Sequence, residues 1–266
     1  MKILVPTDFS ENAKNAFELS KRIAKLNNGT ITLLFAYYSA YDFAAQSAKI
    51  VSQIEASAQL AMEEIDSNPE HDITVDHRIV QGSVAMAVTS TAYREDYDLI
   101  VMGTQGASGI GKALIGTNTA HVIKDSQVPI LVVPNKAMFE NVYEMTVATE
   151  LSLNDKKHFE KLWKLTRFWK LPYNLLHIQN KDENRKEMPL NELEKFLKQK
   201  YPDSSFTPIN VPAEDTIKGI DQYLQEASNC MLVMFYKNGS FLEYLFNKSR
   251  VIKMAYHTHV PLLVIK

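Results

Sequence analysis

An internal repeat runs through this chain. The segment Thr7–Ser10 (TDFS) is matched 142 residues later by Thr149–Ser152 (TELS), and Val128–Val132 (VPILV) is matched 132 residues later by Val260–Val264 (VPLLV). The smaller second offset means that the second copy is ten residues shorter, with the loss falling after its second predicted strand. A repeat of this length indicates two copies of one folding unit rather than one long sheet.

The chain length fits two such units. At about 100–200 residues per domain, 266 residues make two modest domains, each long enough to bury a core. We predict a first domain at 1–136 and a second at 141–266, joined near Asn135–Asn141.

Hydrophobic periodicity in the first copy alternates between strands and helices. Strands are predicted at 2–5, 31–38, 73–80, 98–102 and 129–133, with helices at 10–26, 45–67, 82–96 and 117–126. Strands separated by helices of this length imply a parallel sheet with right-handed crossovers. The predicted fold class is therefore α/β, with two tandem domains that each contain a parallel five-stranded sheet.

Composition excludes several classes of protein. With 45% hydrophobic and 23% charged residues, the chain is neither disordered nor fibrous, and its net charge of −2 provides no global field for nucleic acid or an anionic membrane. A local basic patch remains open. No apolar run approaches the roughly 20 residues of a membrane span. The apolar stretch Ile3–Val5 is too short for a secretory signal, so we expect a cytoplasmic protein. The single cysteine, Cys230, excludes an internal disulfide and a multi-cysteine metal site.

Glycine is scarce in this chain but concentrated in one segment. Only nine of the 266 residues are glycine, well below the average of about 7%. Five of the nine lie between positions 103 and 116: Gly103, Gly106, Gly109, Gly111 and Gly116. Such crowding indicates close backbone approach or left-handed backbone conformations. The segment leads into the helix predicted at Thr117, whose N-terminus favours an anion such as phosphate.

Two segments point to one ligand crevice. In an open parallel sheet, ligands bind beyond the carboxyl ends of the strands, at the point where the strand order reverses. Residues 6–8 follow the first strand and residues 103–106 follow the fourth, so both open onto one crevice if these strands are neighbours. There the Asp8 carboxylate suits the hydroxyls or amines of a nucleoside. Two plainer interpretations remain open, with Asp8 as a helix cap and the glycines as a flexible loop.

Two familiar phosphate-binding motifs fit the glycine segment poorly. A dinucleotide fingerprint GxGxxG fails because Gly109-Ile110-Gly111 is followed by Lys112-Ala113-Leu114. A Walker A motif matches GxxxxGK at 106–112, but Ala113 stands where that motif needs a magnesium-binding hydroxyl.

A third pattern fits better. Residues 103–117 (GTQGASGIGKALIGT) satisfy G-x2-G-x9-G-[S/T], and residues 6–10 (PTDFS) stand at the end of the first strand. Together these segments resemble the ATP-binding branch of the universal stress protein family, and the resemblance covers all five strand–helix units of the first copy. It implies a Rossmann-like fold, of the adenine nucleotide alpha hydrolase-like type, with sheet order 3-2-1-4-5.

The resemblance also implies a ligand and a set of binding residues. The ligand would be ATP, or AMP or ADP, with Mg²⁺ accompanying a triphosphate. Asp8 and the backbone near Thr7 would hold adenine or its ribose, and Ala36 would wall the adenine. Gly103 and Gly106 would let the backbone close over the phosphates. The full set implied by the pattern is Pro6, Thr7, Asp8, Ala36, Met102, Gly103, Gly106, Gly116, Thr117 and Asn118; it includes no catalytic residue and no metal ligand.

The second copy departs from this pattern. At the offset of 132, Phe235, Asn238 and Lys248 stand where the first copy has Gly103, Gly106 and Gly116, and only Ser249 keeps the hydroxyl of Thr117. Side chains at positions where backbone must approach phosphate block the crevice. We therefore predict a degenerate second domain that does not bind ATP in the same way.

The leading hypothesis is a tandem universal stress protein that acts as a nucleotide-dependent sensor or regulator and is not an enzyme, although slow ATP hydrolysis stays open. One alternative is a nucleotide hydrolase or phosphotransferase using Asp8 and Lys112; another is a nucleotide-free scaffold.

The apolar fifth strands, Ile130–Val133 and Leu262–Ile265, lie at the sheet edges if the strand order is 3-2-1-4-5, and exposed edges of this kind favour pairing. We expect an internal pseudo-dimer of the two domains, and a further homodimer remains open.

Overall fold

The computed structural model describes residues 1–38, 44–66, 73–104, 116–135, 137–179, 188–227, 229–236 and 260–266. Those up to Asn135 form one compact unit, and those from Ala137 onward form a second. No helix in the described ranges is long and apolar enough to cross a membrane.

The first unit alternates strands and helices as the periodicity predicts. Its elements are β1 (Lys2–Thr7), α1 (Glu11–Asn27), β2 (Thr30–Tyr37), α2 (Ala44–Asp66), β3 (Val75–Gln81), α3 (Val84–Arg94), β4 (Leu99–Gly103), α4 (Thr117–Asp125) and β5 (Ile130–Val133). Their strands pair in parallel in the order β3-β2-β1-β4-β5. This confirms the predicted order 3-2-1-4-5 for the first unit and makes β1 and β4 neighbours.

Helix α1 shows how the sequence sets its own ends. The Ser10 side chain accepts a hydrogen bond from the Ala13 amide at 3.3 Å, and Asn28 ends the helix in the left-handed conformation. Ala13, Ala16 and Phe17 are buried, so the apolar stripe of the helix faces the sheet. The Ser10 start and the Asn28-Gly29 stop predicted from sequence are both confirmed.

The second unit has the same strand order. Its elements are β6 (Glu144–Ala148), α5 (Asp155–Thr166), β7 (Tyr173–Gln179), α6 (Leu190–Lys200), β8 (Phe206–Pro212), α7 (Thr216–Glu226), β9 (Cys230–Phe235) and β10 (Leu262–Ile265), with short 3₁₀ helices at Phe139–Asn141 and Arg167–Trp169. The strands pair in parallel in the order β8-β7-β6-β9-β10.

Strand register sorts the side chains of the first sheet onto two faces. Pro6 pairs with Leu34, and Leu4 pairs with Ile100. Because side chains alternate along a strand, Pro6, Ala36 and Met102 share one face. Thr7 pairs with Phe35, so these two share the other face. Helix α2 covers that second face, where Glu55 accepts a hydrogen bond from Tyr37 at 2.8 Å.

Candidate functional site

The turn between β1 and α1 is held by short polar side chains. The Thr7 hydroxyl accepts a hydrogen bond from the Phe9 amide at 3.0 Å, and Asp8 Oδ1 accepts from the Ser10 amide at 3.2 Å and from its hydroxyl at 2.6 Å. Phe9 is left-handed, with φ of 63°, and such local bonds are what allow a non-glycine residue to hold that conformation. Asp8 is exposed to solvent and has a structural role in the turn.

Gly103, at the end of β4, is a contact point between three elements. A Cβ atom there would lie 2.9 Å from the main-chain oxygen of Asn12 in α1, so the residue must be glycine for α1 to pack this closely. Its own carbonyl accepts a hydrogen bond from the Thr119 hydroxyl of α4 at 2.9 Å. Gly103 therefore joins the end of β4 to the first turns of α1 and α4. Sequence reasoning assigned this glycine to phosphate approach and missed both partners.

The N-terminus of α4 lacks a capping side chain. Its N-cap residue is Gly116, with φ of −63° and ψ of 153°, and its first turn contains no acidic residue. The Gly116 amide donates a hydrogen bond to the Thr104 carbonyl. Thr117 and Asn118 follow and are exposed. Within the part of the chain that the structure describes, no side chain caps these first-turn amides, and at the positive end of the helix dipole they suit an anion.

The remaining site residues predicted from sequence divide into two groups. Pro6, Ala36 and Met102 share one face at the carboxyl ends of their strands; Pro6 and Met102 are buried and Ala36 is partly exposed. They form an apolar wall beside the Asp8 turn. Gly106, and Lys112 of the enzymatic alternative, lie outside the described residues. In the described ranges, no group of three or more His, Cys, Asp or Glu side chains is arranged to hold a metal ion.

The corresponding turn in the second unit contains a buried carboxylate. Asp155, only 1% exposed, accepts hydrogen bonds from the hydroxyls of Thr149 and Ser152, both at 2.6 Å. Thr149 in turn accepts from the amide of Leu151, which is left-handed with φ of 56°. Sequence reasoning missed Asp155. The signal was present, because two hydroxyl residues stand six and three positions before the acid.

Phe235 fills the place of Gly103. It is 6% exposed, and its ring stacks on His158 with centroids 5.1 Å apart and meets Phe159 edge-on at 5.2 Å. Nearby, the Met188 amide donates to the Leu151 carbonyl at 3.2 Å, and both of these side chains are buried. The end of β9 is therefore packed with side chains. Asn238, Lys248 and Ser249 lie outside the described residues.

A parallel sheet of order 3-2-1-4-5, in which the strand order reverses between β1 and β4, defines a Rossmann-like α/β domain. Residues 1–134 match the model of the universal stress protein family, and the chain belongs to that family. A universal stress protein of Methanocaldococcus jannaschii is 30% identical over 154 residues, which cover 51% of this chain and 95% of that protein. One from Thermus aquaticus is 26% identical over 136 residues, covering 49% and 96%.

A solved structure extends the likeness to the whole chain. The crystal structure of a universal stress protein from Archaeoglobus fulgidus covers 100% of this chain and 96% of its own, with a TM-score of 0.70 and 18% identity. At that identity the match shows the shared fold alone.

Proposed function

We propose that the first unit binds an adenine nucleotide, ATP or else ADP or AMP, beyond the carboxyl ends of β1 and β4. We propose further that the whole chain acts as a tandem universal stress protein, a sensor or regulator in a stress response. The observation that carries the proposal is the junction at Gly103. It holds the start of α1 and the first turn of α4 against the end of β4, so that the three parts of a nucleotide site stand side by side.

Each of the three parts suits one part of a nucleotide. The apolar wall of Pro6, Ala36 and Met102 offers a flat surface for adenine. The exposed Asp8 carboxylate can accept hydrogen bonds from ribose hydroxyls or the adenine amino group. The start of α4 offers main-chain amides to the phosphates. When a triphosphate is bound, Mg²⁺ would be held mainly by phosphate oxygens and water.

Two observations support a binding role confined to the first unit. Asp8 is hydrogen-bonded within its own turn, which suits a positioning group better than a catalytic base. In the second unit, the Phe235 ring occupies the end of the strand and packs against His158 and Phe159. We therefore propose one nucleotide per chain and no catalytic turnover.

The binding test uses the full chain and calorimetric titration with ATP, ADP, AMP and cAMP as probes. We expect one site per chain, with a ligand at 100 times its Kd adding about 2.7 kcal/mol to stability. The absence of any heat or thermal shift at millimolar concentrations of all four probes would overturn the proposal and favour a scaffold. Two equivalent nucleotides per chain would overturn the exclusion of the second unit.

A proline pair tests the role of the α4 amides. Thr117→Pro removes one amide at the first helical position, where proline is well tolerated. We expect it to weaken ATP binding at least about tenfold, while Val84→Pro, at the first position of α3, leaves binding unchanged. Equal binding by both variants would place the phosphates elsewhere. Robust wild-type ATP turnover that Asp8→Ala abolishes would instead establish the enzyme.

A further inference from the structure

The first unit contains an open cavity, a surface groove of about 510 Å³, between helix α2 and the β1–α1 turn. Phe9 and Phe35 line one side of it. Phe35 points to the opposite sheet face from Pro6, Ala36 and Met102. The cavity is therefore separate from the proposed nucleotide site, and its volume lies within the range of small-molecule sites.

An aromatic shelf forms one wall of this cavity. The Phe9 and Phe35 rings are stacked, with centroids 5.0 Å apart and planes 30° apart, and the Tyr37 ring continues the row at 6.5 Å from Phe35. The left-handed backbone of Phe9, held by Thr7, brings its ring onto Phe35. The Tyr37 hydroxyl donates to Glu55 and ties α2 beside the shelf. The shelf is thus fixed by backbone and side-chain contacts before any ligand arrives.

The opposite wall is one uncharged stripe of α2. It consists of residues spaced by three or four positions: Ile50, Gln53, Ile54, Ser57, Ala58 and Ala61. The small side chains of Ser57, Ala58 and Ala61 leave open space within this wall. The acidic residues Glu55 and Glu63 of the same helix are not among the lining residues. The described residues of this wall carry no charge and so offer an ion nothing to offset its desolvation, which favours an uncharged ligand.

We propose that this cavity is a binding site for a neutral, planar, mostly apolar small molecule. The ligand stacks on the Phe9–Phe35 shelf, as aromatic rings do when offset or tilted. The Gln53 amide and the Ser57 hydroxyl, both on exposed residues, offer polar contacts to one edge of the ligand. The site is independent of nucleotide binding.

The test uses N-phenyl-1-naphthylamine, a neutral aromatic probe whose fluorescence rises in apolar surroundings, titrated into the full chain. We expect saturable binding with one site per chain. Ala61→Phe places a ring inside the cavity and should weaken the probe at least about tenfold. The matched control Ala56→Phe adds the same ring to an exposed position of α2 that does not line the cavity, and it should bind as the wild type does. Ser57→Phe fills the cavity from an exposed position and repeats the test if Ala61→Phe fails to fold.

Four results would overturn the proposal. The first is binding that never saturates, which indicates general surface adsorption. The second is an equal loss of affinity in Ala56→Phe and the two cavity-filling variants. The third is sedimentation showing a dimer that Ala61→Phe dissociates, because a second copy would then occupy this wall. A fourth measurement separates the two sites: saturating ATP should leave the probe bound, and displacement by ATP would place the probe in the nucleotide crevice and overturn an independent site.

Discussion

The turns that follow β1 and β6 share a backbone, but only the second has a buried carboxylate beneath it. In both, a threonine hydroxyl accepts the amide of a left-handed residue, at 3.0 Å for Phe9 and 3.1 Å for Leu151. Both turns expose an acid at the same position, Asp8 in the first and Glu150 in the second, but the second turn also has Asp155 of α5 buried beneath it. One backbone frame therefore occurs both with and without a buried structural carboxylate.

The ends of β4 and β9 differ in the same sense. At Gly103 the main chain of β4 packs directly against the main chain of Asn12 in α1, closer than a Cβ atom on residue 103 would permit. Phe235 replaces that contact with ring packing against His158 and Phe159. At the strand end, the first unit packs main chain against main chain, and the second packs aromatic rings.

Removing the ring at position 235 should have the largest effect. Phe235→Ala leaves a cavity in a buried cluster and should lower the free energy of unfolding of the second unit by about 3–5 kcal/mol. Both tryptophans, Trp163 and Trp169, lie in that unit, so tryptophan fluorescence in a urea titration follows it selectively. Phe168→Ala, at a half-exposed ring, is the control and should cost far less. Equal losses would mean that Phe235 packs no more tightly than a surface ring.

Neutralising the two carboxylates should separate their roles. Both oxygens of Asp155 accept hydrogen bonds from hydroxyls. Asp155→Asn replaces one of these oxygens with an NH₂ group, which cannot accept the bond. We expect the free energy of unfolding to fall by about 2–3 kcal/mol, measured by the same fluorescence assay. Asp8→Asn, exposed and bonded only to Ser10 among the bonds described above, should cost about 0.5 kcal/mol in thermal unfolding followed by circular dichroism. Similar costs for the two would remove the contrast between inward and outward carboxylates.

Two glycines of the first unit should respond unequally to alanine. Gly103→Ala forces the Asn12 main chain away and should cost about 1–2 kcal/mol, measured by amide hydrogen exchange in α1 and β4. Gly116→Ala, where the backbone is extended, should cost less than about 1 kcal/mol. If Gly116→Ala cost more, the packing role assigned to Gly103 would be wrong.

The last prediction concerns how the stability of the second unit depends on pH. Burial, aided by the charge of Asp215, raises the pKa of Asp221 to about 6. The folded state therefore holds more protons than the unfolded state between about pH 4 and 6, so stability falls as pH rises through that window and is flat above it. After allowing for solvent screening, Asp221→Asn should stabilise the unit at pH 7 by about 1 kcal/mol.

An acid with the opposite shift provides the control. Hydrogen bonds from Lys200 and Lys164 lower the pKa of Glu160 to about 2. Its contribution to stability is present above about pH 4.5 and is lost as pH falls towards 2. Glu160→Gln should therefore remove stability at pH 7 and leave it unchanged at pH 2. A pH profile of Asp221→Asn that matched that of Glu160→Gln would contradict both assignments.

The fold of the first unit was predictable because its signals are local. Ser10 and Asn28 mark the ends of α1 by side-chain and backbone chemistry within a few residues, and apolar runs separated by helices specify a parallel sheet. The helix boundaries of the second unit were harder to predict. The helical periodicity of its first helix runs from about Leu153 to Trp169, but the helix begins at Asp155 and gives way to a 3₁₀ turn after Thr166. The start is later because Asp155 binds back to Ser152 and Thr149.

The members of the candidate site remain predictions from sequence, and their contacts could not be predicted from it. Strand alternation places Pro6, Ala36 and Met102 on one face once the register is known, and the register depends on pairing between distant segments. The closeness of Gly103 to Asn12 is likewise a tertiary contact that leaves no mark in a motif. The distribution of nucleotide-binding residues along the chain, the pairing of the fifth strands and the domain boundaries remain predictions.

The packing around Phe235 makes the difference between the two units hard to reverse. A glycine at that position would leave His158 and Phe159 without the ring that they pack against. Asp155 would still lie buried beneath the turn, and the Met188 amide would still bond to the carbonyl of the buried Leu151. Changing one of these features leaves the others in place, so no single substitution gives the second unit the arrangement of the first. To build a nucleotide pocket into the second unit, the whole strand–turn–helix junction of the first unit should be transferred, because restoring single motif residues would not be enough.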